Sequence, residues 1–344
     1  MHERGTELDD EVSFLSRPSA YRDGAGEVCA IETHMSWVFL IDAFAYKLKK
    51  PARFDGLDFS SAELRRRNCE EELRLNRRLA PDVYLSVVSL TREPDGRLAL
   101  DGAGPPVDWL VYMRRLPADR MLDAIVTSGR AAAEEAPIRA VARYLAAFYK
   151  TARREPMTAV AHRARLRAGV QRDLQELSQP RFHLPRGPLE ALAHDALRFL
   201  EQSADVFDWR VDAGCLVEGH GDLRPEHICV GREPAIIDCL EFDRDLRVLD
   251  PADELAFLGL ECERLDAPWV GQWFLDAYIE VTGDVPPPPL LDFYRSYRAL
   301  RRARIAANHL DDPHVRDPER FALRARQYLE RAADTSGACQ QVDH

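Results

Sequence analysis

Two apolar runs of three residues each, Ile228-Cys229-Val230 and Ala235-Ile236-Ile237, sit inside a stretch of chain otherwise patterned for helices. Runs this short, bounded by polar loops, read as the arms of a small β-hairpin rather than as helix. An acid stands at either end of the segment. Asp222 lies on the loop that leads into the hairpin, and Asp238 ends its second arm. Any fold for this chain must therefore hold a short hairpin within a helical body and leave two carboxylates at its ends.

The rest of the chain divides around that hairpin. Residues 28–32, 37–42 and 45–49 read as three antiparallel strands; 37–42 is nearly continuously apolar and 45–49 alternates. Ser60 and Glu63 have capping-box spacing, the segment SSAELRRRNCEEELRLNRRL is rich in helix formers, and Pro81 ends it. Further strands are expected at 83–90, 98–100 and 109–114; this first part reads as a five-stranded sheet with one helix, one strand fewer than the six runs named. From Pro117 onward helical periodicity dominates, at 138–151, 163–177, 189–203, 252–264, 269–281, 290–309 and 318–333, with a stiff break from Pro286 to Pro289. The expected fold class is α+β. A small β-rich N-terminal lobe would span residues 1–115, loosely ordered over about 1–25. A larger, mainly helical lobe would span 116–344 and end in a frayed tail over about 334–344.

Charge narrows the partners. The formal net charge is −11, from 58 acidic against 47 basic residues, which argues against nucleic acid as a partner because such binding neutralises phosphates. No apolar run approaches the roughly 18–20 residues that span a bilayer. The N-terminus, MHERGTELDD, lacks the apolar core of a secretory signal. The seven cysteines show no C-x-x-C spacing, which fits free thiols in a reduced cytoplasm.

The segment His220-Gly221-Asp222-Leu223-Arg224-Pro225-Glu226-His227-Ile228, followed by Asp238, carries the chemistry. Phosphoryl transfer needs one acid to orient or deprotonate the attacking hydroxyl and another to hold Mg²⁺. Protein kinases place them in H-R-D-L and D-F-G, with a metal-binding Asn five residues after the first Asp. Asp222 takes the first place and Asp238 the third. The whole resembles the aminoglycoside phosphotransferase family, whose loop reads H-G-D-L-x-x-x-N. Similarity to a bacterial branch of that family extends to ETHMSWVFL at 32–40, AYKLKKP at 45–51, NCEEELRLNRRLAPDVYL at 68–85 and DPADELAFL at 250–258, and so runs from about 28 to 310. The resemblance implies a protein-kinase-like two-lobed fold, ATP with Mg²⁺, and a small-molecule hydroxyl or amine as acceptor. Where the family has Asn, this chain has His227. An imidazole prefers softer metals than Mg²⁺, so His227 either ligates the metal, acts through water, contacts phosphate or is structural.

Lys47 follows Ala45 with the spacing of the kinase V-A-I-K strand, whose lysine reaches the α/β-phosphates. Lys49 shares its face by alternation, and Lys50 points the other way; the resemblance favours Lys47. It also favours Glu72 over Glu70 and Glu71 as the lysine's carboxylate partner, and only one of three adjacent helical residues can face the sheet. Residues 33–36 stand where kinases carry a glycine-rich phosphate loop; without glycine, Thr33 and Ser36 either cradle phosphate or form a plain hairpin turn. Met113, Arg114 and Arg115 fall at the expected hinge against adenine. Asp250 and Glu254 open a helix after the hairpin, which dipole effects alone favour; in the family this region buttresses the catalytic loop, so both are taken as structural. Glu241 could reach metal or substrate. Arg295, Arg298 and Arg302 share a helix face and point either to an ion-pair helix or to an acidic acceptor. Two other classes stay open: a non-catalytic nucleotide-binding module, and a metal-dependent hydrolase built on His220, Asp222, His227 and Asp238.

Overall fold

The computed structural model describes residues 2–21, 26–54, 57–311 and 317–339. The chain folds as two compact units, Met1–Ile125 with Glu226–Arg244, and Val126–Pro225 with Asp245–His344.

The first unit is built on one antiparallel sheet. Its elements, in chain order, are α1 (His2–Leu15), β1 (Cys29–Glu32), β2 (Ser36–Ile41), β3 (Phe44–Lys49), the small pair β4 (Arg53–Phe54) and β5 (Leu57–Asp58), α2 (Ala62–Asn76), β6 (Tyr84–Arg92), β7 (Leu98–Leu100) and β8 (Pro106–Arg114). The sheet has six strands, in the order β1-β2-β3-β8-β6-β7, not the five expected. All six runs named from the sequence are in it, with β1 paired along Cys29–Glu32 and β7 along Leu98–Leu100 at its two edges.

Apolar alternation gives the sheet two covered faces. Phe39, Ile41, Leu48, Val88, Leu90 and Leu110 point to one, where Leu8, Val12 and Leu15 of α1 pack on them. The expectation of a loosely ordered start over about 1–25 is thereby corrected for residues 2–21; residues 22–25 lie outside the described residues. The signal was there as Leu8, Val12 and Leu15 at helical spacing, hidden among charges. Arg65 of α2 forms a buried ion pair with Asp108 of β8 at 2.8 Å. The other face takes α2, whose N-cap is Ser61 rather than Ser60: the Ser61 hydroxyl accepts the Leu64 amide at 3.3 Å.

The helical unit begins within α3 (Leu122–Thr127) and continues through α4 (Glu135–Thr151), α5 (Ala159–Leu177), α6 (Arg186–Gln202) and α7 (Ala204–Asp212). In chain order the short strands β9 (Val217–Glu218), then β10 (Ile228–Cys229) and β11 (Ala235–Ile236) of the sheet unit, and after α8 (Arg244–Arg247) β12 (Val248–Leu249) follow. The helices α9 (Pro251–Arg264), α10 (Pro268–Thr282), α11 (Pro288–Asn308) and α12 (Pro318–Cys339) complete it. Its core runs from Leu166 and Val170 of α5 through Phe207 and Leu260 to Tyr294, Leu300 and Tyr328. The tail expected over about 334–344 is helical as far as Cys339; 340–344 lie outside the described residues.

Two boundaries differ from the sequence expectation. The division falls at Ile125/Val126 instead of 115/116, and the hairpin β10–β11 belongs to the sheet unit. Packing explains the second point. Cys229, Ala235 and Ile237 join Cys69, Val83, Tyr84 and Val111 in one apolar cluster beside α2.

Candidate active site

In the sheet unit, β3 alternation puts Lys47 and Lys49 on one face, and both reach the same carboxylate. Lys47 Nζ donates to Glu72 Oε1 at 2.9 Å, and Lys49 Nζ to Glu72 Oε2 at 2.5 Å. Glu72 is fully buried. Of its neighbours, Glu70 pairs with Arg66 and Glu71 with Arg74 on the helix surface. What separates the lysines is their second partner. Lys47 Nζ also donates to Asp238 Oδ1 at 2.8 Å, whereas Lys49 Nζ donates to Glu241 Oε1 at 2.5 Å. Lys50, on the other face, pairs with Glu32.

Asp238 follows β11 with φ at +61°, a left-handed conformation that costs a non-glycine residue on the order of 1 kcal/mol. Two bonds hold it there. The Asp238 amide donates to the Tyr84 hydroxyl at 3.1 Å, and the Cys239 amide donates to Asn76 Oδ1 at 2.8 Å. Asn76 stands one turn along α2 from Glu72 and donates back to its carbonyl. His227 Nε2 lies 3.6 Å from Asp238 Oδ2.

The electrostatics follow from burial and charge. Desolvation would raise the Asp238 carboxyl, but the Lys47 ammonium, helped by His227 and Lys49, holds it far below the usual carboxylate range. Glu72 is likewise lowered, its two lysines outweighing burial. Burial would lower Lys47, yet Asp238 and Glu72 raise it well above an ordinary lysine. Glu241 goes the other way: burial outweighs Lys49 and raises it.

Mg²⁺ is usually held by one or two carboxylates plus substrate phosphates, not by an all-protein cage. Among the described residues no group of three or more His, Cys, Asp or Glu could hold a metal by itself. Asp238 fits the lesser demand. Its carboxylate is ionised and 43% exposed, with His227 beside Oδ2. Glu241 is engaged by Lys49 and its side chain is only 9% exposed, which separates it from that role.

Residues 33–36 form a closed turn. The Thr33 amide donates to the Ser36 carbonyl at 2.8 Å, and the Ser36 amide to the Thr33 hydroxyl at 3.0 Å. The Thr33 hydroxyl in turn donates to the Ser36 carbonyl, and Ser36 itself is buried. At the expected hinge, Met113 lies opposite Ala45 on β3. The Arg114 and Arg115 amides donate to the Val83 and Ala43 carbonyls, so a base would have to use other groups of that segment.

In the helical unit, the loop carrying Asp222 rests on Glu254. This buried carboxylate at the start of α9 accepts the His220 amide on Oε2 at 3.0 Å, the Gly221 amide on Oε1, and the Tyr149 hydroxyl on Oε2 at 2.8 Å. Gly221 has φ at +92°, and a Cβ on Gly219 would stand 2.7 Å from Glu254 Oε2, so both glycines are required for this approach. Burial raises the Glu254 carboxyl despite these donors. Asp250 caps α9 by accepting the Ala252 amide and takes both arms of the buried Arg210 at 2.7 Å.

Arginines fix the acid itself. Asp222 Oδ2 accepts from Arg224 Nε at 3.0 Å, and Arg302 Nη1 lies 3.4 Å from Oδ1. Arg298 clamps Asp253 with both arms and donates to the Gly221 carbonyl at 3.2 Å. Arg295 pairs with Glu263. The arginine face of α11 is thus an ion-pair helix, two members of which support the Asp222 loop. Sequence reasoning missed Asn76, Tyr84 and Tyr149, each of which acts through a contact far away in sequence.

This fold is α+β and protein-kinase-like. A choline kinase from Cryptosporidium parvum Iowa II superposes with a TM-score of 0.55 at 10% identity, covering 97% of this chain and 96% of that one. A thermostable mutant of an aminoglycoside phosphotransferase gives 0.54 at 14% identity, covering 95% and 99%. At such identities the likeness is one of fold. No family model matches the chain. It is 36% identical over 283 residues to an uncharacterised protein of Mycobacterium tuberculosis, an alignment that covers 80% of this chain and 53% of the relative. The chain therefore spans about half the length of the curated relatives it matches.

Proposed function

We propose that the protein is a phosphotransferase that moves the γ-phosphate of ATP to a hydroxyl of a small molecule, a sugar, amino sugar or aminoglycoside-like acceptor. One observation carries the reading: a single lysine, Lys47, held between Glu72 and Asp238 at 2.9 and 2.8 Å. A strand lysine pinned by a helix carboxylate and touching the acid after the hairpin is the arrangement that positions nucleotide phosphates in kinase-like enzymes.

In this reading Lys47 binds the α/β-phosphates, and Glu72 holds the ammonium in place. Asp238, with His227 beside it, would hold Mg²⁺, which when bound offsets charge on the β/γ-phosphates. Asp222 takes the proton from the acceptor hydroxyl as the phosphoryl group transfers in line, and Arg224 and Arg302 keep its carboxylate oriented. Thr33, Ser36, Met113, Arg114 and Arg115 border the nucleotide in this proposal. The closed 33–36 turn favours contact through backbone and shape there over hydroxyl donation.

That same closed, glycine-free turn is the observation favouring a non-catalytic nucleotide-binding module. One experiment separates the two. The purified protein is given Mg-ATP and a panel of sugars, amino sugars, aminoglycosides and amino alcohols, with phosphate transfer as the readout. The phosphotransferase reading expects turnover on at least one acceptor, reduced at least about 100-fold in Asp222→Asn, the lower range for losing a general base. Undiminished turnover in that variant would refute the role of Asp222. Calorimetric binding of ATP with no transfer to any acceptor would favour the binding module.

A further inference from the structure

The helical unit holds a cavity of about 510 Å³ whose lining residues the proposed reaction does not use. This is the size range of small-molecule sites. Trp209, half exposed, and Val217 and Val285 give it apolar wall, and Lys150 and Arg154 line it as cations. Other cations of this unit pair with carboxylates, Arg167 with Glu201 and Arg210 with Asp250 among them. Among the described residues Lys150 and Arg154 form no ion pair within 4 Å, and Arg154 acts on Asp284 only at longer range. Lys150 Nζ donates to the Val281 carbonyl at 2.8 Å, and Arg154 donates to the Gly214 carbonyl. The carboxylate that shares the cavity, Asp284, is already taken by both arms of Arg210 at 2.6 and 2.8 Å and by the Tyr278 hydroxyl.

We infer that this cavity is a binding site for a small aromatic acid, with its ring against Trp209 and its carboxylate between Lys150 and Arg154. An indole face provides stacking area, and a guanidinium and an ammonium are the natural partners of a carboxylate. The site has a built-in reporter. Tyr149 is among the residues lining the cavity, and its hydroxyl donates to Glu254 Oε2, the oxygen that also accepts the His220 amide. Val217 lines it too, on the strand that leads into the same loop. A ligand that immobilises Tyr149 therefore stabilises the loop bearing Asp222, by differential binding to its ordered state.

The test uses the full chain with indole-3-acetate as probe and neutral indole-3-acetamide as control, read by calorimetry up to about 5 mM, a range that captures millimolar affinity. Saturable binding of the acid is expected, weakened at least about tenfold in the amide and in Lys150→Gln/Arg154→Gln, the loss of one charge-assisted bond. Trp209→Leu should weaken both probes alike. Absence of saturable binding, or affinity equal in the amide or in the double variant, overturns the site. Bound acid should also slow hydrogen exchange of the His220 and Gly221 amides; unchanged exchange at saturation overturns the link to the loop. Both readouts are independent of turnover, so failure of the phosphotransferase reading leaves them intact.

Discussion

Replacing Glu72 with Gln probes the centre of the sheet unit most sharply. Glu72 uses its two oxygens on two different ammonium groups, Lys47 and Lys49. An amide has one acceptor, so whichever way it turns, its NH₂ faces a lysine. Lys49 is 2% exposed and cannot turn to water. The change therefore loses one charge-assisted bond, about 1.5–3 kcal/mol, and leaves a buried donor unmet, about 1–3 kcal/mol more. The total, about 2.5–6 kcal/mol, brackets the roughly 3–5 kcal/mol that breaking a buried ion pair typically costs. The assay is native-state hydrogen exchange on peptides from α2 and β3, which reads this unit apart from the other. A companion variant tests the mechanism. Lys49→Met strands Glu241, whose pKa burial already raises. Protonation then limits the damage, so Lys49→Met should cost less at pH 5.5 than at pH 8, and Lys49→Met/Glu241→Gln should recover most of the loss. Destabilisation by Glu72→Gln of less than about 1 kcal/mol, or no recovery in the double variant, would refute the shared-carboxylate argument.

Glu254→Gln should cost about 2–4 kcal/mol in the helical unit, because the His220 and Gly221 amides point at different oxygens and one must meet an NH₂; faster hydrogen exchange at those two amides is the check. Glu11, buried beside Asp108, has its pKa raised by burial to about 8. A carboxyl raised on folding contributes stability that is full below its unfolded pKa and lost as pH rises to the folded value. Glu11→Gln should therefore gain on the parent chain by at least about 1 kcal/mol between pH 5 and pH 8, measured by urea unfolding. His162, lowered to about 3 by burial and then by Arg165 and Arg163, runs the opposite way. Its contribution is present above the unfolded value near 6.5 and is lost as pH falls towards 3, so His162→Phe should flatten the acid limb of thermal stability over that window.

Much of this was readable in the chain, and the failures have physical causes. Alternation in β3 put Lys47 and Lys49 on one face but could not rank them, since both do reach Glu72. The ranking comes from Asp238, 191 residues away. The hairpin was visible as two short apolar runs, but its allegiance was not. Its chain neighbours are helices of the other unit, while its side chains pack with Cys69, Val83 and Tyr84. The α1 helix was missed because its three apolar contacts are outnumbered by charges, and only the sheet face they cover gives them meaning. Glu254 was read from the resemblance as a buttress, yet that it takes two loop amides and a tyrosine hydroxyl at once is a tertiary fact with no local pattern behind it.

The geometry of α2 shows why such contacts, though illegible, are not arbitrary. Glu72 and Asn76 are four residues apart and so share one helix face. The first fixes both lysines, and the second fixes the backbone that follows Asp238. One rigid element thus sets the distance between the Lys47 ammonium and the Asp238 carboxylate, with Tyr84 bracing the strained turn from the sheet. A rotation of α2 by one residue, about 100°, would put Glu71 or Leu73 toward the sheet and release Lys47, Lys49 and the Asp238 turn together. The three groups should therefore lose order as a unit. Asn76→Ala, which touches neither lysine, should accelerate exchange at the Cys239 amide and raise the apparent Kd for nucleotide. If it frees that amide and leaves nucleotide affinity unchanged, α2 does not couple the turn to the lysine.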